Sequence, residues 1–389
     1  MVERLFGQVR SGSEQMNKRI AVYVDTPLHV LNALNFVWHD IDGIKGECDL
    51  YIFKQFSGFE MMIPRIADTG LFKNVYECHV PDKTKESKCW HYIKRAAEIL
   101  RPSKSLREWT NGITLENRYD TLLIPGPFRF TIALNDVNRN AEVRLLEDGS
   151  VNYYGNLLDA YGPKSKWFFK TIFNRGHNNI QPQRMYVNNL AMCESTLACE
   201  KLQLPRIDCC DVDFCNFLTD VFGPVPNGYE AKFIFMSIPV NEIKSVSGVD
   251  PEAVNDRLLE ELTRYRDRVI VRPHPREIVR EYMGLNVETD SYSWELFCSL
   301  GLDESNVLIG VYSTGMFMPK LMFDKEPTLI FTYKLYKYSF TEERFNEMES
   351  LIRNLKDSYS DKNRVYNVES FEEYQMVLKT VARDKHITI

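Results

Sequence analysis

The sequence lacks any apolar run approaching the roughly 20 residues that a bilayer-spanning helix requires, so none of its 389 residues is expected to cross a membrane. The start, Met1-Val2-Glu3-Arg4, carries an acid early and has no apolar stretch closed by small residues. No signal peptide is expected, and the chain is assigned to the cytoplasm. No GxGxxG follows a strand-like run, which removes the fingerprint of a dinucleotide oxidoreductase. GxxxxGK[ST] and HExxH are missing as well. The nine cysteines are odd in number and irregularly spaced, as befits reduced thiols. Cys209, Cys210 and Cys215 cluster, but no second CxxC or histidine pair completes a zinc site. A net charge of −6 argues against nucleic acid as a partner.

Strand-like and helix-like runs alternate along the chain. Ile20–Asp25, Cys48–Lys54, Asn74–Val80, Tyr119–Gly126 and Glu142–Glu147 read as strands. Leu28–His39, Gly58–Thr69 and Phe128–Val137 have helical spacing. A stretch rich in breakers, Phe222-Gly223-Pro224-Val225-Pro226-Asn227-Gly228, interrupts this pattern. The alternation then restarts with strands at Phe233–Ile238, Arg268–Arg272, Val307–Val311 and Thr328–Thr332. Helices are expected at Pro251–Arg266, Met316–Phe323, Phe340–Leu355 and Phe371–Ala382. Such alternation predicts an α/β chain of βαβ units: two Rossmann-like domains, 1–220 and 229–389, facing across a cleft.

Three short motifs close strands, where open α/β sheets place their binding crevices. Glu147-Asp148-Gly149 offers paired carboxylates, one of them poised to take a proton from an attacking hydroxyl, on a turn that glycine permits. A solvated Asp-Gly turn is the plainer account of the same residues. Arg272-Pro273-His274-Pro275 sets a guanidinium and an imidazole on a backbone stiffened by proline, suited to a phosphate. Tyr312-Ser313-Thr314-Gly315 leads into a helix, where hydroxyls and amides form an anion site or simply cap it. Thr26-Pro27 and Ser237 occupy analogous positions after the first strand of each half. Lys164–Arg175 interleaves basic and aromatic residues, the composition of either an interfacial anchor or an internal helix with snorkelling lysines.

Together the motifs Glu147-Asp148-Gly149, His274-Pro275 and Ser313-Thr314, with the opening Asp25-Thr26-Pro27-Leu28-His29, resemble the bacterial sialyltransferases of glycosyltransferase family 52 and the related polysialyltransferases. The resemblance implies a GT-B fold with an acceptor-binding amino half and a nucleotide-sugar-binding carboxyl half that includes the terminal helices. It implies inverting transfer of sialic acid from CMP-sialic acid, as donor substrate and without cofactor or metal, to a glycan or glycolipid acceptor. In the roles carried over, Glu147 is the general base, with Asp148 orienting the loop or replacing it. His274 is the acid or electrostatic stabiliser at the CMP phosphate, and Ser313 and Thr314 bind that phosphate. Gly149, Ser237, Arg272, Pro275, Tyr312 and Gly315 complete the donor side, and Thr26 and Pro27 lie on the acceptor side. A monophosphate leaving group carries little enough charge for an imidazole and a helix amino terminus to neutralise. The DxD at Asp211-Val212-Asp213, a pattern of metal-dependent transferases, falls at the interdomain boundary and is read as chance.

The expected acceptor is a bacterial surface glycan, lipooligosaccharide or capsule, met at the cytoplasmic face of the membrane, with peripheral lipid contact. A homodimer is compatible with exposed helices and membrane work. Family 52 also contains transferases of other sugars, so a nucleotide donor such as a UDP-hexose is the runner-up. A sugar-nucleotide epimerase and a catalytically silent capsule-assembly protein are the readings from other classes.

Overall fold

Isoleucine, valine, leucine and tyrosine dominate the strand-like runs, and in the computed structural model they form two wholly parallel sheets. The structure describes residues 19–53, 59–80, 88–160, 179–240, 243, 245–246, 248–274, 277, 281–289, 292–339 and 341–387. The first sheet comprises β1 (Ile20–Val24), β2 (Cys48–Phe53), β3 (Asn74–Cys78), β4 (Thr121–Ile124), β5 (Glu142–Leu146), β6 (Pro182–Val187) and β7 (Glu200–Gln203), in the order β3-β2-β1-β4-β5-β6-β7. The second comprises β8 (Phe233–Met236), β9 (Val269–Arg272), β10 (Asn286–Val287), β11 (Val307–Gly310), β12 (Thr328–Phe331) and β13 (Val365–Asn367), in the order β10-β9-β8-β11-β12-β13. Every residue of β1, β2, β4, β11 and β12 is buried, as expected of parallel strands covered on both faces by helices.

The helices are α1 (Pro27–Trp38), α2 (Phe59–Asp68), α3 (Lys88–Leu100), α4 (Pro102–Trp109), α5 (Arg129–Val137), α6 (Leu157–Ala160), α7 (Val212–Phe222), α8 (Pro251–Leu262), α9 (Trp294–Leu300), α10 (Thr314–Phe323), α11 (Glu342–Ser358) and α12 (Phe371–Asp384). Each sheet reverses its winding once, between β1 and β4 and between β8 and β11. These reversals open the crevices in which doubly wound sheets bind ligands. The result is the GT-B arrangement of two Rossmann-like lobes. The expected strands and helices are present with ends displaced by a few residues. The strands β6, β7, β10 and β13 and the helices α3, α4, α6, α7 and α9 were not anticipated.

Helix α7 belongs by packing to the first lobe, since Phe214 and Phe217 stack on Trp38 with ring centroids 5.3 and 4.7 Å apart. Asp211 caps it by accepting from the Phe214 N–H at 3.0 Å, which gives the DxD a structural role. The helix ends at Gly223 (φ 89°), and the chain then crosses to β8. Helix α12 seats on the second lobe through Tyr374, whose hydroxyl donates to the Leu258 carbonyl, and Gln375, which donates to Glu261. Helix α11 reaches both lobes. Its Glu349 accepts from Tyr333 in the second lobe, and its Ser350 donates to Glu194 of the first at 3.1 Å. At Gly155, whose φ of 54° favours glycine, a Cβ would lie 2.2 Å from Glu347 Oε1 of α11, so a larger residue there would displace that carboxylate.

Candidate active site

The crevice of the first lobe holds an arrangement that the motif reading did not single out. Thr26 Oγ1 caps α1 by accepting from the His29 N–H at 3.2 Å, and Pro27 takes the first helical position. Thr26 and Pro27, expected on the acceptor side, are thus what starts α1 and aims His29. One helical turn separates Asp25 from His29, and their side chains meet, Nδ1 to Oδ1, at 2.5 Å. The other ring nitrogen, Nε2, lies 2.6 Å from Asp148 Oδ1. His29 is only 1% exposed. Burial by itself would lower its pKa, but the Asp25 charge and the hydrogen bond to Asp148 outweigh it and raise the value to about 10. The ring is therefore an imidazolium at neutral pH, donating to a carboxylate on each side.

Successive side chains of an extended segment point opposite ways, and that divides the expected carboxylate pair. Glu147 turns inward and is fully buried. Its Oε2 accepts from the Tyr153 hydroxyl at 2.7 Å and from the Asn188 N–H at 2.6 Å, while Oε1 has no partner. Burial pushes its pKa up to about 7, against the opposing pull of those hydrogen bonds; the charge of Asp148 is a minor contribution. Glu147, expected as the general base, is sealed from any acceptor hydroxyl. Asp148 turns outward, with its side chain 11% exposed and held by His29. Its own N–H donates to Asn152 Oδ1 at 2.8 Å, fixing the turn.

Gly149 brings the two lobes together. Its φ of 133° suits glycine, and a Cβ there would lie 2.7 Å from Thr314 Cγ2. The next residue, Ser150, donates its N–H to Thr314 Oγ1 at 3.4 Å, and the two hydroxyls lie 3.2 Å apart. The Tyr154 and Tyr312 hydroxyls meet at 3.0 Å. The acidic motif and the Ser-Thr motif, more than 160 residues apart, are thus in contact at the mouth of the crevice.

On the second lobe, Ser237, Arg272 and Ser313 follow or end β8, β9 and β11 at one edge of the sheet. Each has a buried polar atom without a hydrogen-bond partner: Ser237 Oγ, Arg272 Nη1 and Ser313 Oγ. Unsatisfied buried donors are costly, about 1–3 kcal/mol each, and these three, at the carboxyl ends of neighbouring strands, are donors that an acceptor would satisfy. Arg272 Nη2 donates to the Tyr292 carbonyl at 2.9 Å. The guanidinium carbon lies 4.7 Å from the Tyr292 ring centre and 5.2 Å from that of Trp294. Trp294 in turn donates to the Gly315 carbonyl at 2.9 Å, and a Cβ at Gly315 would come within 3.1 Å of its indole nitrogen. Ser313 precedes the first turn of α10 but makes no capping bond, which leaves its hydroxyl and the helix amides to a ligand. His274 is half-buried two residues past β9, and its backbone exchanges hydrogen bonds with Glu277. Pro275 and residues 164–175 lie outside the described residues.

Asp25, His29, Tyr292 and Trp294 are the crevice residues that motif reading passed over. The Asp25-to-His29 spacing of four, placed across a helix start, was the available signal. For the two aromatic residues no local signal exists. Among the described residues, one group could hold a metal ion, Asp208 with Cys209 and Cys210, and all three are exposed. The eight cysteines whose side chains are described are free thiols. No described helix is long and apolar enough to cross a membrane.

No protein-family model matches the chain, and no curated protein matches it. Solved structures do. A spinosyn rhamnosyltransferase, SpnG, complexed with thymidine diphosphate, is 12% identical over 95% of this chain and 93% of its own, with a TM-score of 0.45. UGT89C1 of Arabidopsis thaliana is 9% identical over 94% and 90%, with a TM-score of 0.49. A sialyltransferase from Photobacterium damsela is 14% identical over 90% and 81%, with a TM-score of 0.44. The chemistry of this chain has to be argued from its own residues.

Proposed function

We propose that this chain is an inverting glycosyltransferase that moves a sugar from a nucleotide donor to an acceptor hydroxyl. The observation that carries the reading is the junction of the Asp148-Gly149-Ser150 turn, whose Asp148 is held by buried His29, with Thr314 of the opposite lobe through Gly149 and Ser150. Asp148 accepts the proton of the acceptor hydroxyl, whose oxygen attacks the anomeric carbon. The bond from that carbon to the phosphate oxygen breaks, and the phosphate leaves with the electron pair. Arg272, Ser237, Ser313 and the first amides of α10 receive its charge, each satisfying a group otherwise without a partner. His274, at the same sheet edge, donates a proton to the phosphate or stabilises it electrostatically. Base and leaving group on opposite lobes lie on opposite faces of the sugar, which favours inversion.

We further infer that the donor is CMP-sialic acid. One guanidinium, serine hydroxyls and a helix terminus match a phosphate monoanion without recourse to a metal. The acceptor in this reading is a bacterial surface glycan, of lipooligosaccharide or capsule, reached from the cytoplasmic face with peripheral membrane contact. The test incubates purified protein with CMP-sialic acid, UDP-glucose or UDP-galactose and a panel of galactose-, glucose- and sialic-acid-terminated acceptors. CMP release that depends on one acceptor is the expected result. Turnover of UDP-sugars alone would remove the sialyl donor, and donor consumption indifferent to every acceptor would remove transfer itself.

A further inference from the structure

Helix α3 turns two large apolar side chains to solvent while pairing two of its charges inward. Arg95 and Glu98 lie on its inward side, where they form an ion-pair network with Arg129 of α5. Its outward stripe, at the i, i+4, i+7 spacing that places side chains on one face, is Ile93, Ala97 and Leu100. Ile93 is 45% exposed and Leu100 60%. Apolar side chains this open, on a helix whose other face is charged, are not filling a core. Along the described residues of α3 and α4 the exposed charges are mostly positive. Lys94, Arg101, Lys104 and Arg107 are exposed along α3 and α4, against Glu108, which lies 3.7 Å from Lys104, and Glu116 just beyond α4. The chain as a whole is acidic, at −6, so this face stands against the molecular average.

We propose that the α3–α4 face is a docking surface for an anionic phospholipid bilayer. Ile93 and Leu100 enter the headgroup boundary while Lys94, Arg101, Lys104 and Arg107 pair with lipid phosphates, the division of labour of an interfacial helix. The inference deepens the membrane contact included in the proposed function by naming where on the first lobe it is made and which lipids it selects. It needs no catalysis, so it stands or falls apart from the sugar chemistry.

The test is co-sedimentation of the full chain with vesicles of phosphatidylglycerol and phosphatidylethanolamine, and with vesicles of phosphatidylcholine alone. The parent is expected to bind the anionic vesicles, more weakly as salt rises, and to leave the neutral ones. Neutralising two cations in Arg101→Ser with Lys104→Ser should weaken binding about thirtyfold. Ile93→Ser with Leu100→Ser should release the protein from vesicles at any salt concentration. All four positions are exposed, so circular dichroism and turnover of a water-soluble acceptor should match the parent. Three results would overturn the proposal: no binding of the parent to anionic vesicles, undiminished binding by both variants, or a face that proves to join two copies of the chain. In the last case the Ile93 and Leu100 changes would split a dimer in analytical ultracentrifugation without altering lipid binding.

Discussion

Replacing His29 by phenylalanine keeps a ring in the same space but leaves Asp25 and Asp148, with side chains 9% and 11% exposed, facing each other without a cation. Removing one partner from a buried ion pair costs about 3–5 kcal/mol. The pH dependence is the sharper expectation. His29 has a folded pKa of about 10 against an ordinary 6.5, so the folded chain keeps a proton that the unfolded chain releases. Its stabilisation is complete below the unfolded pKa, declines as pH rises and is lost through the folded pKa. Between pH 7 and pH 9 the slope approaches 1.4 kcal/mol per pH unit, so this one group should withdraw about 2.5 kcal/mol over that interval. Urea unfolding of parent and His29→Phe at pH 7, 8 and 9, with the slope m checked for constancy, measures the gap in stability directly. The gap should narrow by about 2.5 kcal/mol from pH 7 to pH 9. A gap that stays constant would show that His29 is not held as an imidazolium, and the account of Asp148 would fall with it.

The two neighbouring acids separate in a kinetic comparison: Asp148→Asn should lower kcat about 10²–10⁴-fold, whereas Glu147→Gln should retain most activity, and the reverse ranking would return the base role to Glu147. Because Glu147 ionises near 7 in the folded chain rather than at its ordinary 4.5, its contribution to stability is present below pH 4.5 and lost as pH rises to about 7; Glu147→Gln should flatten that part of a stability-against-pH curve. Gly149→Ala places a Cβ 2.7 Å from Thr314 at a φ of 133°, so about 1–3 kcal/mol of strain should appear in thermal unfolding together with a fall in kcat/KM. Arg272→Lys loses the planar contact with Tyr292 and Trp294 and the second donor, so donor KM should rise at least tenfold while the fold, followed by circular dichroism, stays intact.

The sheets were legible because their strands are buried on both faces and read as continuous apolar runs, as in Ile20–Val24 and Val307–Gly310. Edge strands gave less. Strand β7 reads Glu-Lys-Leu-Gln and carries no residue in the fully buried class, so no periodicity marks it. On helix α3, Arg95 and Glu98 pair inward with Arg129 while Ile93 and Leu100 face solvent, which runs against the pattern that sequence reading seeks. At the site, two of the strand-end motifs meet where Gly149 and Ser150 touch Thr314, and Ser237, Arg272 and Ser313 follow or end neighbouring strands of the second sheet. The choice between Glu147 and Asp148 was not legible. It depends on which way a two-residue extended segment faces, and Tyr153 and Asn188, six and 41 residues further on, decide it by claiming Glu147. His29 stood in plain view in the opening motif, yet its partner Asp148 lies 119 residues away, a distance over which spacing carries no information.

Helix α11 has a mechanical meaning. Besides the chain leaving Gly223 and the contacts of Gly149 and Tyr154 with the second lobe, the lobes meet through this helix, which leans on Gly155 and Glu194 of the first lobe after arising from the second. If the proposed function holds, any opening of the crevice has to part Gly149 and Ser150 from Thr314 while α11 still bridges the lobes through Ser350 and Glu194.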